Sequence, residues 1–461
     1  MKNKINFLLV HQSVIITPGD LLRWGYMFLD WLCDINNFFD IDNRLIEKLY
    51  KAEVKSKEYL ETVDVISSFN HFKVLKAFQK EGVTEYHFQD STGYGYGDLG
   101  RDTLDRIYAK LFGGKAGLVR PQIVSGTHAL TLALSALLRP GDILLSACGR
   151  PYDTLTTVIG LKPLVPGNLG EWGIKYAEVE LDEYEQPNLK ELFGAVSSLK
   201  PRMCLIQRSR GYSLRPSLGI EDLSKIIDTI KKANKDTICL VDNCYGEFVE
   251  RQEPGEVGAD LSVGSLIKNP GGGLAPGGGY IVGREELVER VAARLTAPGL
   301  GAELGAFNDK RLYYQGLYLA PLVVREALYG AIVAATFFKD LGYAVNPLPD
   351  TPRKDIVQCI VLGSSEALVA FCQGLQKGSP IESMTRPEPA SLPGYKDPVI
   401  MAGGTFIQGS SIELSADAPL REPYVVYLQG GQAYLYSKVA FLMAAQEMMN
   451  KGLFKITGDK D

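Results

Sequence analysis

Seven cysteines in 461 residues, none spaced as Cys-x-x-Cys, are too few and too scattered for a disulfide framework or a zinc cluster. They stand at positions 33, 148, 204, 239, 244, 359 and 372, and the four histidines are as dispersed, so no metal motif is expected. Thiols spread in this way fit a reducing cytoplasm. Charge of one sign is also missing. Lys and Arg number 49 against 54 Asp and Glu, a net −5, which gives no electrostatic hold on nucleic acid or an anionic membrane. Long apolar runs are absent too. MKNKINFLLV opens like a secretion leader, but His11 and Gln12 cut the run and no small-residue cleavage site follows. Leu21 to Leu29 is interrupted by Arg23 and closed by Asp30. Neither stretch reaches the roughly 20 apolar residues of a membrane span. Residues 1–43 therefore read as an atypical extension, packed on the body or on a partner subunit.

What remains is ordinary for a large globular enzyme: 46% apolar and 22% charged residues, with no internal repeat. Apolar residues at 45, 46, 49 and 50 predict a helix capped by Asp42 or Asn43, and a second helix is expected over Val65 to Phe78. Further on, short apolar runs alternate with helical periods. Gln122 to Val124, Asp142 to Ser146, Cys204 to Gln207, Thr237 to Val241 and Asp260 to Val263 predict strands, and Gly219 to Ala233 a helix. This alternation implies βαβ units and a parallel sheet covered on both faces. A long helical stretch ends near Leu341, and the proline-rich tract 345–352 marks a domain joint. We expect a large domain over 44–340 and a smaller α/β domain over 341–461.

Three motifs carry chemistry. The first, Gly95-x-Gly97-x-x-Gly100, matches a dinucleotide fingerprint by letter only. No apolar strand precedes it, and Arg120 and Pro121 stand where an acid is required. It reads as a glycine- and tyrosine-rich loop before a helix. The second, Ser125-Gly126-Thr127, leads into the helical run ALTLALSALL and leaves free N–H groups at a positive helix end, a phosphate site or a plain cap. The third runs from Asp242, at the end of one apolar run, through Ser265 and Lys268 after the next. A carboxylate and a lysine delivered by adjacent strands suit pyridoxal phosphate. Lysine is the side chain that forms an exchangeable imine with its aldehyde, and a buried acid keeps its pyridine nitrogen protonated. Ser265 adds a hydroxyl for the phosphate, and Tyr152 lies in a loop from which a ring could stack on the pyridine face. Ligands in such sheets sit beyond the C-terminal ends of strands, where these residues converge.

Together VDNCYGE, VGADLSVGSLIKNPGGG, SGTHAL and LRPGDILLSACGRPYDTL resemble the fold type I pyridoxal-phosphate enzymes of cysteine and methionine metabolism. The likeness is to the branch known as methionine gamma-lyase-like, or aluminium resistance, proteins, and it runs from about Asn43 to the end. The resemblance implies an aspartate aminotransferase-like α/β fold with a mostly parallel sheet in the large domain. It also implies a homodimer or homotetramer whose active site lies at the subunit interface. In its terms Lys268 bonds the cofactor and takes the substrate Cα proton, Asp242 pairs with the pyridine nitrogen and Tyr152 stacks on the ring. Ser125, Gly126, Thr127 and Ser265 hold the phosphate. Tyr96 stands where the family places a tyrosine reaching the neighbouring subunit's phosphate. Two residues depart from the pattern: Asp98 where the family carries an arginine, with Arg101 as a substitute, and Ile267 where a threonine often precedes the lysine. Arg421, in SADAPLREPY, is the expected partner of the substrate carboxylate. The implied activity is a carbon–sulfur lyase giving keto acid and ammonia, with β- and γ-elimination both open. An aminotransferase, or a stress-response protein with minor catalysis, are the alternatives.

Overall fold

The computed structural model describes residues 34–94, 97–162, 165–392 and 395–456. Its larger sheet has strands β1 (Ala116–Arg120), β2 (Ile143–Ser146), β3 (Lys175–Glu178), β4 (Met203–Gln207), β5 (Ile238–Asp242), β6 (Leu261–Ser265) and β7 (Gly279–Gly283). Their spatial order is β1-β7-β6-β5-β4-β2-β3. The run β6-β5-β4-β2-β3 is parallel, and β7 runs antiparallel to both neighbours. Every residue of β4, β5 and β6 is buried, as a sheet packed on both faces requires. The smaller sheet is antiparallel throughout, in the order β10-β11-β12-β9-β8. Its strands are β8 (Ala344–Asn346), β9 (Val357–Val361), β10 (Val399–Ala402), β11 (Ser415–Pro419) and β12 (Val425–Gln429).

Among the described residues the helices of seven or more residues are α1 (Asn43–Glu81), α2 (Leu99–Leu111), α3 (Gly126–Leu137), α4 (Asp153–Ile159), α5 (Leu189–Leu199), α6 (Ile220–Ala233), α7 (Glu285–Leu295), α8 (Lys310–Asp340), α9 (Ser365–Lys377) and α10 (Tyr434–Asn450). Period-two alternation sorts the large sheet into two cores. Leu205, Leu240 and Leu261 pack with α3 and α7 on one face. Cys204, Ile206, Cys239 and Val241 pack with α5 and α6 on the other. The small sheet packs Ile360, Val426 and Leu428 against α9 and α10. Its opposite face carries Val357, Cys359, Val425 and Tyr427, which meet Tyr212, Leu214 and Tyr245 of the large domain.

Two long helices join these bodies. Leu45, Ile46, Leu49 and Ala52 of α1 lie in the core of the small sheet, as do Val333 to Ala335, Phe337 and Phe338 of α8. Val63, Val74 and Ala77 of α1, and Tyr313 to Ile332 of α8, contribute to a separate core under the large sheet. By length and composition α8 could cross a membrane, but 67% of its most apolar window is buried inside the protein.

Two sequence expectations are corrected. The two helices expected within residues 43–81 are one 39-residue helix. Buried Ser56, Ser67 and Asn70 break its apolar period. Each is paired, with Thr336 (2.8 Å), the Pro321 carbonyl (3.2 Å) and the Phe248 carbonyl (2.8 Å). The strand expected at Gln122–Val124 lies instead at β1, and 122–124 form the turn after it. Arg120 ends β1 fully buried because both oxygens of Asp105 accept from its Nη1, at 2.7 and 2.9 Å.

Candidate active site

β5 ends on Asp242 and β6 on Ser265, and in the sheet Asp242 stands opposite Val263. The N-terminus of α3 faces these two ends. Ser125 caps it, its Oγ accepting from the His128 N–H at 3.1 Å. The N–H groups of Gly126 and Thr127, in the first turn, have no intrahelical acceptor. Gly126 sits against the strand ends: a Cβ there would lie 3.3 Å from Cys244 Sγ and 3.5 Å from the Ser265 Cβ. Tyr152 caps α4, and its hydroxyl meets Thr127 Oγ1 at 3.2 Å while its N–H donates to Gln207 Oε1 at 3.0 Å. Lys268 follows β6. Its ammonium donates to Ser411 Oγ of the small domain at 3.2 Å and lies 3.6 Å from the centre of the Tyr245 ring.

The glycines after Lys268 serve packing. A Cβ at Gly271 would collide with the Leu266 carbonyl, and Gly272, at φ 55°, lies against the Gly316 carbonyl of α8. That contact, with Asn269 Nδ2 donating to the Glu247 carbonyl at 2.9 Å, anchors the loop that presents Lys268.

Burial pushes the Asp242 carboxyl above its ordinary range, opposed by hydrogen bonds from Cys244 and by the Lys268 charge. Burial works against the Lys268 ammonium, but Tyr245, Cys244 and Asp242 outweigh it and hold its pKa above that of a free lysine. The site thus pairs a proton-retaining amine with an acid short of a cation.

The sequence reading did not single out Tyr245, Ser411, Tyr212, Asp417 or Glu247. Tyr245 lies three residues beyond Asp242 in VDNCYGE and adopts a left-handed backbone, φ 72°, a conformation uncommon outside glycine that concentrates at functional sites. Its neighbourhood was legible in the motif. Ser411 and Asp417 come from the small domain and carry no local signal.

Behind Asp242 lies a buried acid. Glu247 Oε1 accepts from the Tyr280 hydroxyl at 3.0 Å, and its Oε2 has no hydrogen-bond partner among the described residues. Burial, with Glu253 nearby, pushes Glu247 up to about 8 from an ordinary 4.5. The folded chain therefore binds this proton more tightly than the unfolded chain. The stabilisation is complete below about 4.5 and is lost as pH rises through about 8. Urea unfolding between pH 6 and 9 is expected to show stability falling with pH in the parent, and falling less in Glu247→Gln. Parallel slopes for the two proteins would contradict this assignment.

Gly95 and Tyr96 lie outside the described residues. The loop around them is anchored by Lys310, 2% exposed, whose ammonium donates to Asp98 Oδ2 at 2.9 Å, Ser91 Oγ at 3.1 Å and the Gln89 carbonyl at 2.8 Å. Asp98 also caps α2 through the Arg101 N–H at 3.0 Å. The acid at this position thus has its own task. Arg101 is fully buried, donates to Asp102 at 3.0 Å and to the Glu303 carbonyl at 2.9 Å, and keeps its Nη2 without a hydrogen bond among the described residues. Arg421 pairs with Asp397 at 3.2 Å and donates to the Tyr212 carbonyl at 2.9 Å, at the edge of the cleft.

The donor set fits pyridoxal phosphate. The amine of Lys268 and the acid of Asp242 match its aldehyde and ring nitrogen. The cradle at Gly126, which a side chain would narrow, combines two free N–H groups with the Ser265 hydroxyl, which makes no hydrogen bond among the described residues.

Comparison with known proteins agrees. The family model for methionine gamma-lyase matches residues 45–449. The uncharacterized protein YnbB of Bacillus subtilis is 49% identical over 393 residues, 85% of this chain and 93% of that protein. A crystal structure of a carbon-sulfur lyase involved in aluminum resistance from Clostridium novyi is 45% identical. It superposes with a TM-score of 0.85, covering 95% of this chain and 100% of that one. The L-methionine gamma-lyase of Pseudomonas putida is 27% identical over 253 residues, 54% of this chain and 57% of that protein. With cradle, acid and amine at the ends of a type I sheet, the chain belongs to the methionine gamma-lyase family and is a pyridoxal-phosphate-dependent enzyme of lyase type.

Proposed function

We propose that the protein eliminates a thiol from a sulfur amino acid, releasing a keto acid and ammonia. We place it in the cytoplasm, as a homodimer or homotetramer with Tyr96 of one subunit reaching the phosphate held by the next. One observation carries this reading. A buried carboxylate ends one strand and a lysine follows the end of its neighbour by three residues, opposite a helix N-terminus with free N–H groups.

Pyridoxal phosphate, when bound, supplies an aldehyde that accepts amines and a ring that draws electrons away from a substrate's Cα. Lys268 would hold the aldehyde carbon, Asp242 the ring nitrogen and Tyr152 the ring face. Gly126 and Thr127 N–H groups, with the Ser265 hydroxyl and the turn at Ser125, would hold the phosphate. Lys268 also takes the Cα proton, which requires that its own amine be neutral at that moment. Ser411 and Tyr245, both in contact with its Nζ, are placed to hold that nitrogen in position and to accept its charge. Asp242 keeps its electrostatic effect because burial excludes water from around it. Arg421 meets the substrate carboxylate on giving up its exposed pair with Asp397, a pair of the kind worth little on a surface.

The purified protein is expected to be yellow, and borohydride to fix the cofactor at Lys268 in a peptide map. It is also expected to release keto acid and ammonia from at least one of cystathionine, cysteine, methionine or homocysteine with no keto acceptor added. A requirement for an added keto acid would turn the reading towards transamination, and attachment at any other lysine would sink it.

A further inference from the structure

Beyond Lys268, towards the small domain, lies a group of side chains that cofactor binding does not use. Tyr212 of the large domain has ring-centre separations of 5.6 Å to Tyr395 and 5.2 Å to Tyr427. Tyr427 is on β12, and its cross-strand neighbour on β11 is Asp417, so the two side chains share the sheet face that looks towards the large domain. Asp417 accepts a hydrogen bond from Gln429 Nε2 at 3.1 Å and another from the Tyr212 hydroxyl. No ion pair engages it among the described residues, and the cation acting on it is the Lys268 ammonium. Tyr212, Tyr395 and Asp417 are each intermediate in exposure as residues, while burial weighs against the charge on the Asp417 carboxyl itself.

A carboxylate ringed by tyrosines has a definite chemical preference. Aromatic faces attract cations of low hydration, and an acid among them adds charge without requiring a strongly hydrated partner. A cation already lies on one of the neighbouring rings, since the Lys268 ammonium rests on Tyr245. An anionic end of a substrate would meet Asp417 as a like charge. A plain alkyl end would bury Asp417 with nothing to replace its lost water.

Resting on the lyase reading for its location, we propose that Asp417 with Tyr212, Tyr395 and Tyr427 forms a subsite for a positively charged group at the far end of the substrate amino acid. That group is an ammonium or a sulfonium carried beyond Cβ. Asp417 thereby discriminates among substrates rather than taking part in the chemistry at Cα.

The test titrates the holoenzyme and follows its visible absorbance band. L-Ornithine is compared with L-norvaline, and S-methyl-L-methionine with L-methionine. At least one cationic ligand is expected to bind roughly tenfold or more tighter than its neutral counterpart, the scale of one charge-assisted hydrogen bond. Preference for ornithine assigns the subsite to ammonium, and preference for S-methylmethionine to sulfonium. In Asp417→Asn, which keeps the shape, the cationic-to-neutral ratio is expected to fall by about the same factor. Equal binding of cationic and neutral ligands by the parent, or a ratio that survives Asp417→Asn, would overturn the proposal. Absence of keto acid release from every sulfur amino acid, with the ratio intact, would remove the lyase reading and leave the subsite standing.

Discussion

Lys268→Ala is expected to be colourless and to turn over sulfur amino acids at least about 10³-fold more slowly than the parent, the combined scale of losing a covalent anchor and a general base. The reasoning is geometric. Among the described residues, Lys268 is the lysine at the end of the β5–β6 pair, and its Nζ is the nitrogen that Ser411 and Tyr245 hold. The two buried lysines among the described residues are held elsewhere, Lys310 by Asp98 at 2.9 Å and Lys438 by Glu53 at 2.8 Å. Single-turnover measurement with the best sulfur amino acid, together with the visible spectrum, checks this. A variant that keeps its colour and more than a tenth of its rate would show that another amine carries the cofactor.

Lys310→Met is expected to lower the unfolding free energy by about 3–5 kcal/mol, the usual cost of leaving one member of a buried ion pair without its partner. The Lys310 side chain is 2% exposed and that of Asp98 8%, so little water reaches the acid left behind. Desolvation already works against the charge on Asp98, and only the Arg101 N–H, Ser91 and Lys310 hold its pKa below the ordinary value. The double variant Asp98→Asn with Lys310→Met is expected to recover part of the loss, because it removes the stranded charge as well. Urea unfolding of the three variants tests both statements. A loss below 1 kcal/mol in Lys310→Met would mean that Asp98 finds another donor.

The half of the candidate site proposed to hold the cofactor was legible because its chemistry lies in contiguous words of sequence. Asp242 and Lys268 each follow a short apolar run, and Ser125 to Thr127 stand at a strand-to-helix turn, so strand-end convergence follows from topology. The half proposed to face the substrate was not. Tyr212, Tyr395, Asp417 and Ser411 meet only because one sheet lies across another, and no pairwise spacing along the chain encodes that. Local misreadings share one cause. The strand expected at Gln122–Val124 lies at Ala116–Arg120, where a charged residue ends a buried strand because Asp105 pairs with it. The polar residues of α1 looked like a break between helices, yet each finds a partner on α8 or in the loop after β5.

Helices α1 and α8 run through both cores, and that has a mechanical consequence. A cleft between two bodies usually opens by swinging them apart on a thin connector. Here two rods, packed along one another, are bolted into each body, so such a swing would have to bend both. Entry to the Lys268 site therefore does not depend on such a swing. Heat should melt the two halves as one, since neither can lose its rods without exposing the other's interior.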